Sequence, residues 1–125
     1  MRITASLGRV VCVVTAALAL NVPTVSAATA SQSAALPCSF RLSSGRWYCD
    51  NVHGARMFAS PDYSTVVGYK YTRPSIFYCR TDNGAWVGGP HQYRWLRTPI
   101  NGDSGPTAYM KDTDIYSETD PLPTC

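Results

Sequence analysis

Ser104 lies in the stretch NGDSGP, residues 101–106, where its setting between an aspartate and a glycine raises the question of nucleophilic catalysis. A serine hydroxyl attacks a carbonyl efficiently only when a histidine takes its proton and backbone amides stabilise the oxyanion. The chain has two histidines, His53 in Asn-Val-His-Gly and His91 in Gly-Pro-His-Gln. A catalytic role for Ser104 therefore requires a body large enough to bring one of them beside it.

The letters of NGDSGP are similar to the Gly-Asp-Ser-Gly-Gly-Pro signature of chymotrypsin-like proteases, with one glycine missing. Those enzymes need two packed barrels to assemble the triad, and a chain of this length is too short for two. Neither histidine stands in the Ala-His-Cys surroundings that those proteases give their base. Gly, Asp, Ser and Pro are also the residues that a turn favours. We therefore predict a hairpin turn here, no catalytic residue, and a protein that is not an enzyme.

Acidic residues and cysteines are the remaining groups with metal-binding chemistry. The acidic group near the C-terminus, Asp112, Asp114, Glu118 and Asp120, lacks the spacing and the glycine of an EF-hand loop. The sequence has no Cys-x-x-Cys pair, and the histidines lack the spacing of zinc ligands. Paired carboxylates could serve a glycosidase, but nothing indicates the cleft that a polysaccharide enzyme needs. We predict neither a metal nor a cofactor, and a solvated acidic surface.

Residues 1–27 have the pattern of a secretory signal peptide. Arg2 and Arg9 flank a short polar start, an apolar run occupies residues 10–20, and Val25-Ser26-Ala27 offers a small-residue cleavage site. The apolar run is too short to span a bilayer. We predict a secreted, extracellular protein that is cut after Ala27 and has no membrane span.

The charge balance argues against a nucleic-acid partner. Of eleven basic residues, Arg2 and Arg9 lie in the signal segment, so the rest nearly balance the eight acidic ones. A nucleic-acid binder needs a concentrated basic face. The charge is unevenly placed, with a basic body over residues 41–97 and an acidic tail over residues 112–120.

The exported chain keeps four cysteines, Cys38, Cys49, Cys79 and Cys125. An even number in a small exported chain predicts two disulfides, and four cysteines allow three pairings. A hairpin that turns at residues 43–45 would place Cys38 opposite Cys49. We therefore predict the pairs Cys38–Cys49 and Cys79–Cys125.

Three segments follow from the pattern of residue types. Residues 1–27 are the signal peptide, residues 28–37 a flexible N-terminal arm with little to bury, and residues 38–125 a disulfide-stabilised β-barrel domain. Strands are predicted at 39–42, 46–50, 55–58, 65–71, 75–81, 92–97 and 107–110, with a single helical turn at 112–116. Asn83-Gly84 predicts a tight hairpin turn. The fold class is all-β, a compact barrel or sandwich.

The segment Gly54-Ala-Arg-Met-Phe-Ala-Ser-Pro-Asp-Tyr-Ser-Thr-Val-Val-Gly-Tyr, with the later Thr107-Ala-Tyr-Met-Lys-Asp-Thr-Asp-Ile-Tyr, resembles the bacterial Src-homology-3-like domain over residues 52–116. Tyr109-Met110 stands where that family usually has Trp-Val. The resemblance implies a small, closed or nearly closed Src-homology-3-like barrel, here with an added N-terminal hairpin, two disulfides and the flexible arm. It implies a non-catalytic domain that binds peptides, cell-wall glycopeptide or proteins. The layout is also similar to that of small exported actinomycete proteins, including the adaptor subunit of their umbrella-shaped toxin particles.

Aromatic residues are numerous for so small a domain, so some are expected at the surface. The predicted core comprises Phe58, Val66, Val67, Ile76, Phe77, Tyr78, Val87, Leu96 and Ile115. The candidates for an exposed aromatic binding groove are Trp47, Tyr48, Tyr69, Tyr71, Tyr93 and Trp95, because tyrosine and tryptophan offer rigid contact area with a polar tip. Arg94, beside Trp95, could bind a carboxylate or stack on an aromatic partner.

These features together predict a secreted, non-catalytic binding module. Its partner would be a protein of an extracellular assembly, as for an adaptor of the toxin-particle type, or the peptidoglycan of a cell wall. An extended arm that adds to a partner's sheet edge would contribute affinity. The alternative is an inhibitor of a secreted protease or hydrolase, since disulfide-held loops can occupy an active site in rigid form.

Overall fold

The computed structural model describes residues 35–125. The predicted signal peptide, residues 1–27, and most of the predicted arm, residues 28–34, lie outside the described residues. Leu36 and Pro37, at the end of that arm, border the domain: Glu118 donates its backbone N–H to the carbonyl of Leu36 at 2.9 Å, and Pro37 forms a parallel bridge with Glu118.

The regular structure of the described residues is all-β, as predicted, with one turn of 3-10 helix. The strands are β1 (Ser39–Arg41), β2 (Arg46–Cys49), β3 (Ala55–Phe58), β4 (Val66–Lys70), β5 (Ser75–Phe77), β6 (Cys79–Thr81), β7 (Trp95–Asn101) and β8 (Ser104–Lys111), and the 3-10 turn is Asp112–Asp114. Every predicted strand range overlaps an observed strand. The range 75–81 is divided at Tyr78 into two strands, and β8 starts earlier than predicted.

The strands form two antiparallel sheets, with the orders β1-β2-β5 and β4-β3-β8-β7-β6. The sheets meet beside β7, because Tyr78 donates its backbone N–H to the carbonyl of Arg97 at 2.9 Å. In addition, the Thr98 hydroxyl donates to the carbonyl of Ile76 at 2.7 Å. Both strand orders are open within residues 35–125, so the strand pairings do not establish the predicted closure into a barrel.

Two predicted hairpins are confirmed. Ser39 pairs with Tyr48 across β1 and β2, and the turn between them ends at Gly45, whose φ of 66° favours glycine. NGDSGP forms the turn between β7 and β8, where Asn101 pairs with Ser104. Ser104 is exposed and opens β8, and its hydroxyl makes no hydrogen bond to a histidine or a carboxylate within the described part of the chain.

Both predicted disulfides are present, Cys38–Cys49 and Cys79–Cys125. The first joins the ends of the β1–β2 hairpin. The second holds the C-terminus beside β6, where Arg80 donates to the carbonyl of Pro123 and accepts from the N–H of Cys125. Two disulfides indicate folding in an oxidising environment. Among residues 35–125 we find no helix that is long and apolar enough to cross a membrane.

The core lies mainly between the two sheets. It contains Cys38, Cys49, Ala55, Met57, Phe77, Leu96, Ala108, Met110, Ile115 and Leu122. Of the predicted core residues, Phe58, Ile76, Phe77, Leu96 and Ile115 are buried. Val66 and Val67 are exposed, contrary to prediction, because β4 is an edge strand with an irregular register beside Met57 and Phe58.

The prediction of a tight hairpin at Asn83-Gly84 is wrong. β6 and β7 do pair, but a long loop, residues 82–94, connects them. Gly84 lacks a positive φ and instead packs against the indole of Trp95, where a Cβ would lie 2.0 Å from Cδ1. The glycine is needed because it permits this close approach to the ring.

Candidate functional site

An open groove lies between β4 and the end of β7, and we call it the seam groove. Its volume is about 460 Å³. Its walls and floor include Met57, Val67, Gly68, Tyr69, Lys70, Tyr71 and Ile100. It therefore combines apolar side chains of β3, β4 and β7 with two tyrosines and one lysine at the β4 edge.

β4 leaves one edge without a hydrogen-bonded neighbouring strand among the described residues. In the five-stranded sheet it pairs only with β3, whereas the outer edge of β6 is covered by the C-terminal residues around Thr124. An uncovered edge presents backbone N–H and C=O groups to an incoming strand, and folded proteins usually cover it or give it charged side chains. Val66, Val67, Tyr69 and Tyr71 instead expose apolar surface there.

The edge strands of the three-stranded sheet are β1 and β5. The Thr98 hydroxyl of β7 donates to Ile76 of β5, so β1 is the more open of these two edges among residues 35–125. It spans only Ser39–Arg41, and the Arg41 guanidinium lies 3.7 Å from the ring centre of Tyr48. A short edge that carries a charge is a poor template for strand addition. β4 is a better docking edge than β1.

Lys70 forms part of the groove floor although it is a charged residue, and it is only 2% exposed. Its Nζ donates to the carbonyl of Pro99. An ammonium group has three N–H donors. No side-chain acceptor for the Nζ of Lys70 is present among residues 35–125. No carboxylate of the described residues lies within 4.0 Å of it.

Burial lowers the pKa of Lys70 to about 8, and the carboxylate of Asp103 opposes this only in part. Loss of hydration disfavours the charged form of Lys70, and the distant carboxylate of Asp103 does not replace the stabilisation that water gave to the ammonium group. The protein therefore carries an ammonium group whose charge is incompletely compensated within the described domain.

Lys70→Met should raise the free energy of unfolding at pH 7 by about 1–2 kcal/mol, a range that allows for screening by water in the groove. Methionine keeps the length of the side chain and removes the charge that burial disfavours.

The difference between the two proteins should also depend on pH. Between pH 8 and the ordinary lysine pKa of 10.5, the unfolded chain holds the Lys70 proton that the folded chain releases. The wild-type protein should therefore gain stability relative to Lys70→Met as the pH rises through this window. Urea unfolding of both proteins at pH 7 and pH 10 measures this, and a constant difference would contradict the incomplete compensation of the buried charge.

A second groove of about 430 Å³ lies beside the start of the described chain. Leu36, Tyr48, Pro74 and Tyr116 contribute to its lining. Its cations are already engaged: Arg41 stacks on Tyr48, and Arg73 binds both carboxylate oxygens of Asp50 at 2.6 and 2.8 Å. This groove therefore offers apolar contact without an uncommitted charge.

Arg94 lies at the centre of a polar cluster that we call the C-terminal clamp. Its guanidinium donates to Asp82 at 2.6 Å, to Thr119 at 3.0 Å and to Asp120 at 2.8 Å. The hydrogen bond from Arg94 lowers the pKa of Asp120. Burial raises the pKa of Asp112, against the hydrogen bond that it accepts from Thr119. The clamp holds the acidic C-terminal segment against the loop of residues 82–94.

His91, Glu118 and Asp120 also belong to the clamp and offer ligand atoms within 4.8 Å of one another. One nitrogen and two carboxylates could hold a divalent cation. Asp120 is already bonded to Arg94, and Glu118 accepts both from His91 at 3.1 Å and from the N–H of Asp120. These bonds explain why the three side chains lie together, because they hold the C-terminal segment in place.

The predicted aromatic groove is not assembled as one surface. Tyr69 and Tyr71 do lie together, with ring centres 6.4 Å apart, and both line the seam groove. Tyr48 lines the second groove, while half-buried Trp47 packs against the core and Phe40. Tyr93 is exposed in the loop of residues 82–94.

Two residues that were predicted to contact a partner are instead buried in the structure. Trp95 is 0% exposed, and its ring contacts Phe58 and Tyr63 in edge-to-face geometry. Arg94 is buried in the C-terminal clamp and has three partners of its own. Neither side chain is presented to a partner as predicted.

Lys70 and Ile100 in the groove, and Trp86, which is 61% exposed, were not predicted from the sequence. Alternation along β4 places Lys70 on the face opposite Tyr69 and Tyr71. The sequence therefore predicts that Lys70 and the two tyrosines lie on opposite faces of β4, but it does not predict which face is buried.

Comparison of the chain with protein-family models, curated proteins and solved structures finds no match.

Proposed function

We propose that this protein is a secreted binding module without catalytic activity, which docks an extended segment of an extracellular partner protein along β4 and in the seam groove. The observation that carries the proposal is the uncovered edge of β4 with its exposed Val66, Val67, Tyr69 and Tyr71. Main-chain hydrogen bonds to such an edge give affinity, and pockets for alternate side chains give specificity. The Src-homology-3-like resemblance, with its peptide and protein ligands, is consistent with this mode.

The disulfides support the role by making the docking surface rigid. Cys79–Cys125 ties the C-terminal residues over the outer edge of β6, so β4 is left as the open edge of the larger sheet within residues 35–125. A preformed edge loses little conformational entropy when a partner strand binds. An adaptor in an extracellular assembly needs a surface of this kind more than it needs a catalytic cleft.

The second candidate function is inhibition of a secreted protease, and Leu42 favours it. Leu42 is 90% exposed at the tip of the β1–β2 hairpin, whose ends are joined by Cys38–Cys49. An apolar side chain on a clamped loop is suited to a protease specificity pocket. It is a single contact, in contrast to the continuous apolar edge of β4.

Affinity purification from the producer's culture supernatant tests the two functions with matched variants. Tyr69→Lys/Tyr71→Lys places charges on the β4 edge, and Leu42→Ala truncates an exposed apolar residue on the hairpin. We expect the tyrosine variant to weaken binding of the captured partner by at least about 30-fold. Tyrosines that become buried in an interface are frequent hot spots worth about 2 kcal/mol or more. Leu42→Ala should bind like the wild type.

Thermal unfolding confirms that both variants remain folded before the comparison is made. If Leu42→Ala loses the captured protein and the tyrosine variant retains it, the hairpin is the contact and the inhibitor function is favoured. If both variants bind as the wild type does, docking along β4 is wrong.

A further inference from the structure

We propose that Lys70 is an anion-recognition residue, whose ammonium group binds the carboxylate of one acidic side chain on the extended segment that docks along β4. The inference rests on the proposed function and names the chemistry of the partner. It starts from the position of Lys70, which is 2% exposed yet lines the floor of the open seam groove.

The ammonium group of Lys70 has an incomplete set of hydrogen-bond partners. Nζ donates to the carbonyl of Pro99, which leaves two of its three donors without a side-chain acceptor among residues 35–125. A buried charge is costly unless it is paired, and a carboxylate that enters the groove would pair it. A charge-assisted hydrogen bond of this kind is stronger than one between neutral groups.

The acidic residues of the C-terminal segment already have partners within the domain. Asp112 accepts from Thr119, and Asp114 lies 3.7 Å from the Nζ of Lys111. Glu118 accepts from His91 at 3.1 Å, and Asp120 accepts from Arg94 at 2.8 Å. Asp103, the carboxylate that acts on Lys70 from a distance, lies more than 4.0 Å from its Nζ, so a carboxylate bonded to Nζ would come from a partner.

The charges near β4 favour a different protein over a second copy of this chain as the partner. The β4 sequence, Val-Val-Gly-Tyr-Lys, contains no acidic residue, and exposed Arg56 lies opposite Tyr69 on the neighbouring strand. Two copies paired along β4 would bring lysines and arginines together, and like charges in close contact destabilise a strand pair. An acidic segment of another protein would instead meet complementary charge.

The groove also predicts the residues that flank the acidic one. Side chains two positions apart in a strand share a face, so the neighbours of an acid above Lys70 would meet the apolar groove lining. Met57 and Ile100 form this lining close to the strand, since a Cβ at Gly68 would lie 3.1 Å from the terminal methyl of Met57 and 3.7 Å from Ile100. The expected pattern in the partner is an acidic residue with an apolar residue two positions away on each side, and the residues between them face Tyr69 and Tyr71.

Selection from a displayed library of random peptides of about ten residues, long enough for one strand, tests the inference. The library is selected separately on the wild-type protein, Lys70→Met and Tyr69→Lys/Tyr71→Lys. We expect the wild type to enrich peptides with one Asp or Glu at a fixed position between apolar residues. Lys70→Met should enrich the apolar positions without the acid, and the tyrosine variant should lose the enrichment.

The best peptide is then synthesised with Glu and with Gln at the selected position. We expect the wild type to prefer the Glu peptide by at least about tenfold and Lys70→Met by less than about twofold. Binding of the Glu peptide should also raise the pKa of Lys70, followed by the ¹³Cε chemical shift. If Lys70 had only a structural role, the peptide would leave the pKa of Lys70 unchanged. Sodium acetate alone is the third arm, and acetate binding as tight as peptide binding would overturn the assignment to a peptide segment.

Each failure has a distinct meaning. Enriched peptides without a preferred acid, or equal affinity for the Glu and Gln peptides, overturn the anion-recognition role and leave docking along β4 intact. Enrichment that survives in the tyrosine variant, or no enrichment on the wild type, contradicts both the docking mode and the inference.

Discussion

Replacing Cys79 and Cys125 by alanine should lower the free energy of unfolding by about 4 kcal/mol. The two residues are 46 positions apart, and a crosslink across a loop of that length removes a corresponding amount of entropy from the unfolded chain. The bond also keeps Pro123 and Cys125 in hydrogen bonds with Arg80. Urea unfolding of the purified protein, followed by circular dichroism, measures the change.

The matched control is the double alanine variant of Cys38 and Cys49, which are 11 positions apart. The same estimate gives it a loss of about 3 kcal/mol from loop entropy. Only the Cys79–Cys125 variant should free the outer edge of β6, so only that variant should self-associate at raised concentration. A loss below about 1 kcal/mol for this variant would show that the C-terminal clamp holds the segment without the disulfide.

The sequence was sufficient to place the strands because local signals agree with the fold there. Alternating aromatic and β-branched residues mark the strands, and the turns at residues 43–45 and in NGDSGP carry the residues that their backbone requires. The Cys38–Cys49 pairing followed from the hairpin alone. Each of these features depends on neighbours close in sequence.

Predictions failed where the answer depends on contacts distant in sequence. Val66 and Val67 have the composition of core residues, but their strand lies at the sheet edge. Asn83-Gly84 has the composition of a tight turn, yet Gly84 is required by the ring of Trp95. Local pattern does not report which strand will be an edge or which ring will pack on a glycine.

The candidate site was predicted in part for the same reason. Tyr69 and Tyr71 were identified because alternation places them on one face of a strand. The groove beneath them also needs Ile100 from β7 and the buried position of Lys70, and both depend on how β4 approaches the end of β7. The strand could be read from local pattern, whereas the groove is a product of tertiary packing.

Trp95→Ala should lower the free energy of unfolding by about 3–5 kcal/mol, as is typical when a fully buried tryptophan is truncated. The indole is 0% exposed, donates from Nε1 to the carbonyl of Ala85 at 2.9 Å, and meets Phe58 and Tyr63 edge to face. Truncation would remove these contacts and leave a cavity beside Gly84. Urea unfolding gives the stability change.

Trp86→Ala makes the same chemical change at a residue that is 61% exposed, so it should alter stability by less than about 1 kcal/mol. The pair therefore separates burial from residue type as the cause of the effect. Binding of the captured partner gives the second readout, because Trp95 was predicted as a contact residue and the structure places it in the core. If Trp95→Ala retained wild-type stability and lost only partner binding, the indole would be a contact residue and its burial in the free protein would be wrong.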